Sequence, residues 1–153
     1  MANSDSVSQF YLDSFGNGRI GVVQATTLNT AGNAVVTIPL LSGGLTNAGA
    51  AAGSGSVIVR RVTVNNPSGS VASANISITT SNDGNASNAI VSTTNLGNLT
   101  AAGKYQDLTV ASPYSTTTAI TGYTTQALYV NVSAASGNNN TVTICVYGDV
   151  VSF

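Results

Sequence analysis

The chain has 153 residues, of which 42% are hydrophobic and 6% are charged, with a net charge of −1 at pH 7 and no histidine. Its length predicts one domain with a buried core, and its low net charge with many valines and isoleucines argues against disorder. The chain has only four cationic residues, which argues against nucleic-acid binding. No apolar run approaches the roughly 20 residues that a membrane span needs. Since the chain has no histidine, it lacks the commonest general base.

Residues 1–18 are predicted to form an extended N-terminal arm in front of a β-sandwich domain over residues 19–153. The arm mixes Ser, Asn and Gly with three aromatic residues, Phe10, Tyr11 and Phe15. It has no basic stretch followed by an apolar stretch, so we expect no secretory signal. The aromatic residues either staple a first strand onto the chain's own core or anchor the arm on a neighbouring subunit. The second interpretation makes Phe10, Tyr11 and Phe15 candidate interface residues.

Short β-rich segments separated by turn clusters follow the arm, and no segment shows a sustained helical period of apolar residues. The predicted strands cover residues 19–25, 33–41, 56–66, 72–80, 89–96, 104–112, 116–123, 127–134 and 141–153. Pro39 indicates an edge position or the end of the second strand. The pattern predicts an all-β protein built as a single β-sandwich, with a jelly roll favoured and an immunoglobulin-like sandwich as the nearest rival.

Two adjacent arginines, Arg60 and Arg61, interrupt the apolar strand predicted over residues 56–66. Because side chains alternate between the faces of a strand, each face of an unbroken strand would carry apolar residues and one arginine. A β-bulge between the arginines would turn both to solvent. Alternatively, the core covers one face, a neighbouring subunit covers the other, and a buried arginine pairs with Asp107 or Asp149. We favour the second arrangement, which makes Arg60 and Arg61 candidate interface residues.

The sequence offers no catalytic constellation. Cys145 has no histidine to activate it, and the five aspartates are scattered singly along the chain. Asp83, Asn85 and Ser87 alternate as calcium ligands do, but the required glycine and glutamate are missing further along, and an ordinary turn explains the cluster. We therefore expect a protein that is not an enzyme, with no cofactor, no metal, no nucleic acid and no membrane as partner.

Two segments have strands rich in Thr, Gly and Asn, namely VIVRRVTVNNPSGSVASANISITTSNDG and LTAAGKYQDLTVASPYSTTTAITGYTTQALYVNVSAASGNNNTVTICVYGDVV. These strands resemble those of the small capsid decoration proteins of tailed bacteriophages, also called cement or head-auxiliary proteins. The resemblance implies a virion protein on the capsid surface that reinforces contacts between coat subunits and has no catalytic residue. It implies the major capsid protein and further copies of the chain as partners, a trimer being the expected homo-oligomer.

Two alternatives stay open. A carbohydrate-binding or adhesive fibre or tail module would use exposed tyrosines as platforms, with Tyr105, Tyr114 and Tyr123 as candidates, although the chain has no tryptophan. A jelly-roll coat protein would build a capsid itself, although the chain has no basic arm to contact a genome.

Overall fold

A computed structural model describes residues 16, 18–40, 55–111 and 127–152. This part of the chain forms eight strands and a short 3-10 turn at Ala86–Asn88. The strands are β1 (Gly18–Thr27), β2 (Gly32–Pro39), β3 (Gly55–Asn65), β4 (Asn75–Thr79), β5 (Ala89–Asn95), β6 (Tyr105–Leu108), β7 (Ala127–Ala134) and β8 (Thr141–Ser152). The aromatic residues predicted in the arm, the strand predicted over residues 116–123 and most of the loop before β3 lie outside the described residues.

The strands form two antiparallel sheets of four strands that pack against each other. Sheet A has the order β1-β8-β3-β6, and sheet B has the order β2-β7-β4-β5. The chain crosses between the sheets at nearly every connection, and this strand order is that of an eight-stranded jelly roll. The all-β sandwich predicted from the sequence is therefore confirmed.

The core lies between the sheets and follows the alternation of apolar residues along each strand. On β7, Leu128 and Val130 are fully buried, as are Ile76 and Ile78 on the neighbouring β4. The matching contribution from β8 in sheet A consists of Val142, Ile144 and Val146, which are also fully buried. Each strand thus buries one side against the opposite sheet, which is why a period of two was visible in the sequence.

Single main-chain bridges connect the two sheets at both sides of the sandwich. Gly21 of β1 bridges to Leu40, directly after β2, and Val91 of β5 bridges to Val110, shortly after β6. A β-carbon at position 21 would come within 2.8 Å of the Leu40 side chain, so a glycine permits the first approach. Pro39 ends β2 at an edge of sheet B, as the sequence indicated.

Four loops meet at one end of the sandwich, and we call this end the locked end. They are residues 28–31, 66–74, 96–104 and 135–140, which connect β1 to β2, β3 to β4, β5 to β6 and β7 to β8. Hydrogen bonds that join neighbouring loops run from Asn138 Nδ2 and Asn140 Nδ2 to Ser70 O, both 2.9 Å, from Asn29 Nδ2 to Asn139 Oδ1, 2.8 Å, and from Val71 N to Leu99 O, 2.9 Å. Asparagine amides therefore hold these loops to one another.

Candidate functional site

A β-bulge at Arg60 decides where both arginines lie. Val59 is paired with Gly148 and Arg61 with Tyr147, so Arg60 is an extra residue in β3. The extra residue shifts the alternation of side chains by one position. All four valines around the bulge consequently face the core and are fully buried, namely Val57, Val59, Val62 and Val64. The bulge alternative is confirmed, and the unbroken strand with two apolar faces that we favoured from the sequence is wrong.

Gly148 gives the bulge the room it needs. A β-carbon at position 148 would overlap the carbonyl oxygen of Ile58 and lie 3.2 Å from the backbone nitrogen of Arg60. Main-chain atoms cannot rotate aside as a side chain can, so only glycine fits opposite the bulge. A glycine inside a strand pattern indicates a bulge or a close backbone approach. The segment TVTICVYGDVVSF contains this signal, and it could have identified the bulge from the sequence.

Each arginine of the bulge pairs with a different aspartate. Arg60 Nε and Nη2 donate to Asp149 Oδ2 at 3.0 and 2.9 Å. Arg61 Nε and Nη2 donate to Asp107 Oδ1 and Oδ2 at 2.9 and 2.8 Å, which is a bidentate fork. The side chains are 34% and 46% exposed in the first pair and 19% and 48% in the second. The two aspartates are those expected from the sequence, but the pairs lie at the surface rather than in a buried site.

Tyr147 lies between two arginines on the outer face of sheet A. Its cross-strand neighbours are Arg19 on β1 and Arg61 on β3, and directly opposite residues in antiparallel strands share a face. Burial raises the pKa of the Tyr147 phenol, and Cys145 acts in the same direction, whereas the charges of Arg19 and Arg61 act against this rise. The phenol therefore stays neutral near pH 7 and keeps its O–H as a hydrogen-bond donor.

We define the arginine face as the outer surface of sheet A formed by Arg19, Arg60, Arg61, Asp107, Tyr147 and Asp149. Three arginines against two aspartates give this surface a net charge of +1. The rest of the chain has one lysine and three aspartates, a net charge of −2, and the two parts add up to the −1 of the whole chain. Of the residues counted outside this face, Lys104 and Asp83 have opposite charges, and Asp5 and Asp13 lie outside the described residues.

The outer face of sheet B has a different chemistry. None of its four strands contains a charged residue. Its centre is Asn131, which is only 6% exposed. Asn131 Oδ1 accepts from the Ala34 backbone N–H at 2.8 Å, and Nδ2 donates to Thr79 Oγ1 at 3.0 Å and Ser77 Oγ at 3.4 Å. Uncharged amide and hydroxyl groups thus satisfy one another on this face.

The turn between β4 and β5 uses its polar side chains internally. The Asp83 carboxylate accepts hydrogen bonds from the Ser81 hydroxyl and from the Asn85 backbone N–H, and these bonds lower the pKa of Asp83. Asn85 Oδ1 accepts in turn from the Ser87 N–H and hydroxyl. The ordinary turn proposed from the sequence therefore accounts for this cluster. Among the described residues, no group of three or more Asp, Cys, Glu or His side chains is placed to hold a metal ion.

Tyr105 begins β6 beside the locked end and is 65% exposed. The other two tyrosines considered as platforms, Tyr114 and Tyr123, lie outside the described residues.

No helix in the described ranges is long and apolar enough to cross a bilayer.

Comparison of the chain with protein-family models, with curated proteins and with solved structures found no match.

Proposed function

We propose that the chain is a non-enzymatic structural protein of a virion, which binds the outer surface of the capsid and reinforces contacts between coat subunits. The observation that carries the proposal is the unequal division of charge between the sheets. Every charged residue that lies in a described strand belongs to sheet A, and the strands of sheet B have none. One broad face is thus equipped with the residue types that protein interfaces favour, arginine and tyrosine.

The composition of the whole chain supports work within an assembly. A net charge of −1 does little to keep separate molecules apart, and neighbours in an assembly remove that need. The proposed partners are the major capsid protein and further copies of the chain, with a trimer as the homo-oligomer. A stable contact of ordinary size would bury about 1,200–2,000 Å².

Binding to heads tests the proposal directly. Heads assembled from the major capsid protein encoded with this chain are incubated with the purified chain and sedimented, and native mass spectrometry reports the oligomer of the free chain. We expect saturable binding, a trimer and greater resistance of decorated heads to heat. A chain that remains monomeric and stays in the supernatant would overturn the proposal.

A coat protein is the second candidate, because the strand order of the two sheets is one that viral capsid domains use. A coat protein assembles into closed shells when it is expressed alone, whereas a decoration protein needs a head to bind. Electron microscopy of the chain expressed alone separates the two functions.

A carbohydrate-binding module is the third candidate, because Tyr105 offers an exposed ring at the edge of sheet A. An aromatic ring of this kind can stack on the apolar face of a sugar. Binding on a glycan array that is lost in Tyr105→Ala would favour this function over the decoration protein.

A further inference from the structure

We propose that the bond between Asp83 and Gly84 is a site of spontaneous aspartate isomerisation, and that the side chains of Asn33 and Ser81 slow this modification in the folded chain. The product is isoaspartate, in which the main chain continues through the side-chain carboxyl carbon of Asp83. The modification concerns the turn between β4 and β5, and it does not depend on the proposed function.

Aspartate followed by glycine is the sequence that favours this reaction. The main-chain nitrogen of the next residue attacks the aspartate Cγ, an N–Cγ bond forms, and the amide hydrogen leaves with the carboxyl hydroxyl as water. Water then opens the five-membered succinimide at either carbonyl, which returns aspartate or gives isoaspartate. Glycine has no β-carbon that would shield its nitrogen. Among the five aspartates of the chain, only Asp83 is followed by glycine.

The glycine of this pair is fixed by the structure. Gly84 has a φ of 71°, a left-handed conformation that glycine adopts without the steric cost of a β-carbon. A β-carbon at this position would also overlap the amide group of Asn33. The dipeptide that permits isomerisation is therefore the one that the contact with Asn33 requires.

Asn33 holds the main-chain partner of the reaction. Three residues of β2, 33–35, stand opposite the single residue Asn131 of β7 and form a bulge. Asn131 Oδ1 accepts from the Ala34 N–H at 2.8 Å, and Asn33 Nδ2 donates from the same bulge to the Asp83 carbonyl oxygen at 2.9 Å. Because a peptide group is planar, a bond to the carbonyl of Asp83 also restricts the Gly84 nitrogen. Ring closure requires this plane and the Asp83 side chain to rotate relative to each other.

The carboxyl partner of the reaction is held as well. The Asp83 carboxylate accepts from the Ser81 hydroxyl and from the Asn85 backbone N–H, and these bonds restrict its rotation. The bond from Ser81, and next the bond from Asn85, lower the pKa of Asp83. The protonated acid is the form that reacts, because its hydroxyl can leave as water. Both bonds therefore slow ring closure, since they restrict the carboxyl group and keep it ionised.

Isomerisation changes the groups that hold the turn to β2. The carbonyl oxygen that Asn33 holds becomes part of a free carboxylate, and the carboxyl group that Ser81 holds becomes part of the main chain. The main chain also gains one carbon within the turn. We expect the modified turn to separate from the bulge at residues 33–35, and the thermal transition of the modified chain to be lower. An unchanged thermal transition would contradict this consequence.

Peptide mapping of the aged chain tests the site. The purified chain is incubated at mildly acidic pH, once folded and once in concentrated guanidinium chloride, and isoaspartate is quantified by chromatography and mass spectrometry. We expect isomerisation at Asp83 that is about tenfold slower in the folded chain. In Asp83→Glu the ring would need six members, so the second product should be lost. Equal rates in the two states, or isomerisation at Asp107 or Asp149 as fast as at Asp83, would overturn the proposal.

A matched pair of asparagine variants tests the role of Asn33. Asn33→Ala removes the bond to the Asp83 carbonyl, whereas Asn139→Ala removes an exposed amide that is bonded to Asn29. We expect folded Asn33→Ala to isomerise about two- to tenfold faster than the parent chain, and Asn139→Ala to keep the parental rate. Ser81→Ala frees a charged acceptor and should accelerate the reaction about tenfold.

The thermal transition of each variant is measured as well, because a variant that unfolds isomerises faster for that reason alone. Parental rates in both Asn33→Ala and Ser81→Ala would overturn the protective role of these side chains. The same acceleration in Asn139→Ala as in Asn33→Ala would overturn the role of the contact between Asn33 and Asp83.

Discussion

Gly148 and Ile58 approach so closely across sheet A that a β-carbon at position 148 would overlap the Ile58 carbonyl oxygen. This approach lies beside the bulge at Arg60, so the placement of two adjacent arginines depends on a glycine in a different strand. Backbone geometry and surface charge are therefore coupled at one position of the sandwich.

Gly148→Ala is expected to destabilise the fold by about 2–4 kcal/mol, because the clash involves main-chain atoms and strands β3 and β8 must separate to relieve it. Urea unfolding measures the loss. The control is Gly18→Ala, since Gly18 pairs with Gly148 but a β-carbon there would meet only one backbone oxygen, at 3.9 Å. A loss in Gly18→Ala as large as that in Gly148→Ala would contradict this account.

Breaking either ion pair is expected to cost little stability. Arg60→Ala should lose at most about 0.5 kcal/mol and Arg61→Ala about 1 kcal/mol, because both pairs are at the surface and the second is bidentate and less exposed. A double-mutant cycle with Asp107→Ala measures the coupling of the Arg61 pair. A coupling energy of several kcal/mol would mean that the Arg61–Asp107 pair is buried, and this would contradict the surface position that the bulge gives to Arg61.

Asn131→Ala is expected to lose about 1–3 kcal/mol, because it leaves the half-buried Ala34 N–H and the buried Thr79 hydroxyl without the amide that bonds them. The control is Asn139→Ala, which removes an exposed amide bonded to Asn29. Chemical denaturation of both variants measures the difference. Similar losses would show that the buried network of sheet B adds no stability beyond that of a surface bond.

Ala34→Gly is expected to stabilise the chain by about 0.5–1 kcal/mol. Ala34 has a φ of 50°, a left-handed conformation that glycine adopts without the steric cost of a β-carbon. Ala89 has a φ of −76°, so Ala89→Gly has no strain to relieve and should destabilise instead. Thermal unfolding of both variants checks the opposite signs, and a destabilised Ala34→Gly would refute the argument.

Tyr147 gives the chain a predicted loss of stability at alkaline pH. The folded chain holds the Tyr147 proton to a higher pH than the unfolded chain does, because burial raises the pKa of this phenol from 10.0. The corresponding stabilisation is complete below pH 10 and is lost as the pH rises through the folded-state pKa. Tyr147→Phe should therefore lose less stability than the parent chain as the pH rises above about 10. Tyr105→Phe removes an exposed phenol and is the control, and an identical pH profile for parent and Tyr147→Phe would contradict the prediction.

Strand positions could be predicted from the sequence because each strand buries one side only. The segment 127–134 was predicted as a strand and is β7, and residues 89–95 of the predicted segment 89–96 form β5. The alternation of Leu128, Val130 and Val132 with polar neighbours is the direct trace of this half-burial. Local patterns of this kind need no knowledge of which strand pairs with which.

The arrangement of the arginines could not be predicted in the same way, because it depends on contacts between distant segments. An alternating sequence pattern does not reveal a β-bulge. Arg60 is recognised as the extra residue of a bulge only when β3 is paired with β8. The burial of Asn131 depends similarly on the main chain of Ala34 in another strand. Whether Phe10, Tyr11, Phe15, Arg60 and Arg61 contact a partner stays a prediction.

The two bridges at the sides of the sandwich have a consequence for aggregation. Sheet proteins commonly discourage edge-to-edge pairing of separate molecules with charged side chains on their edge strands. Only 6% of this chain is charged, and the edge strands β2 and β5 have no charge at all. The bridges from Gly21 to Leu40 and from Val91 to Val110 occupy edge groups within the molecule itself. At these two positions the chain's own backbone, rather than a charged side chain, therefore protects the edges of sheet B.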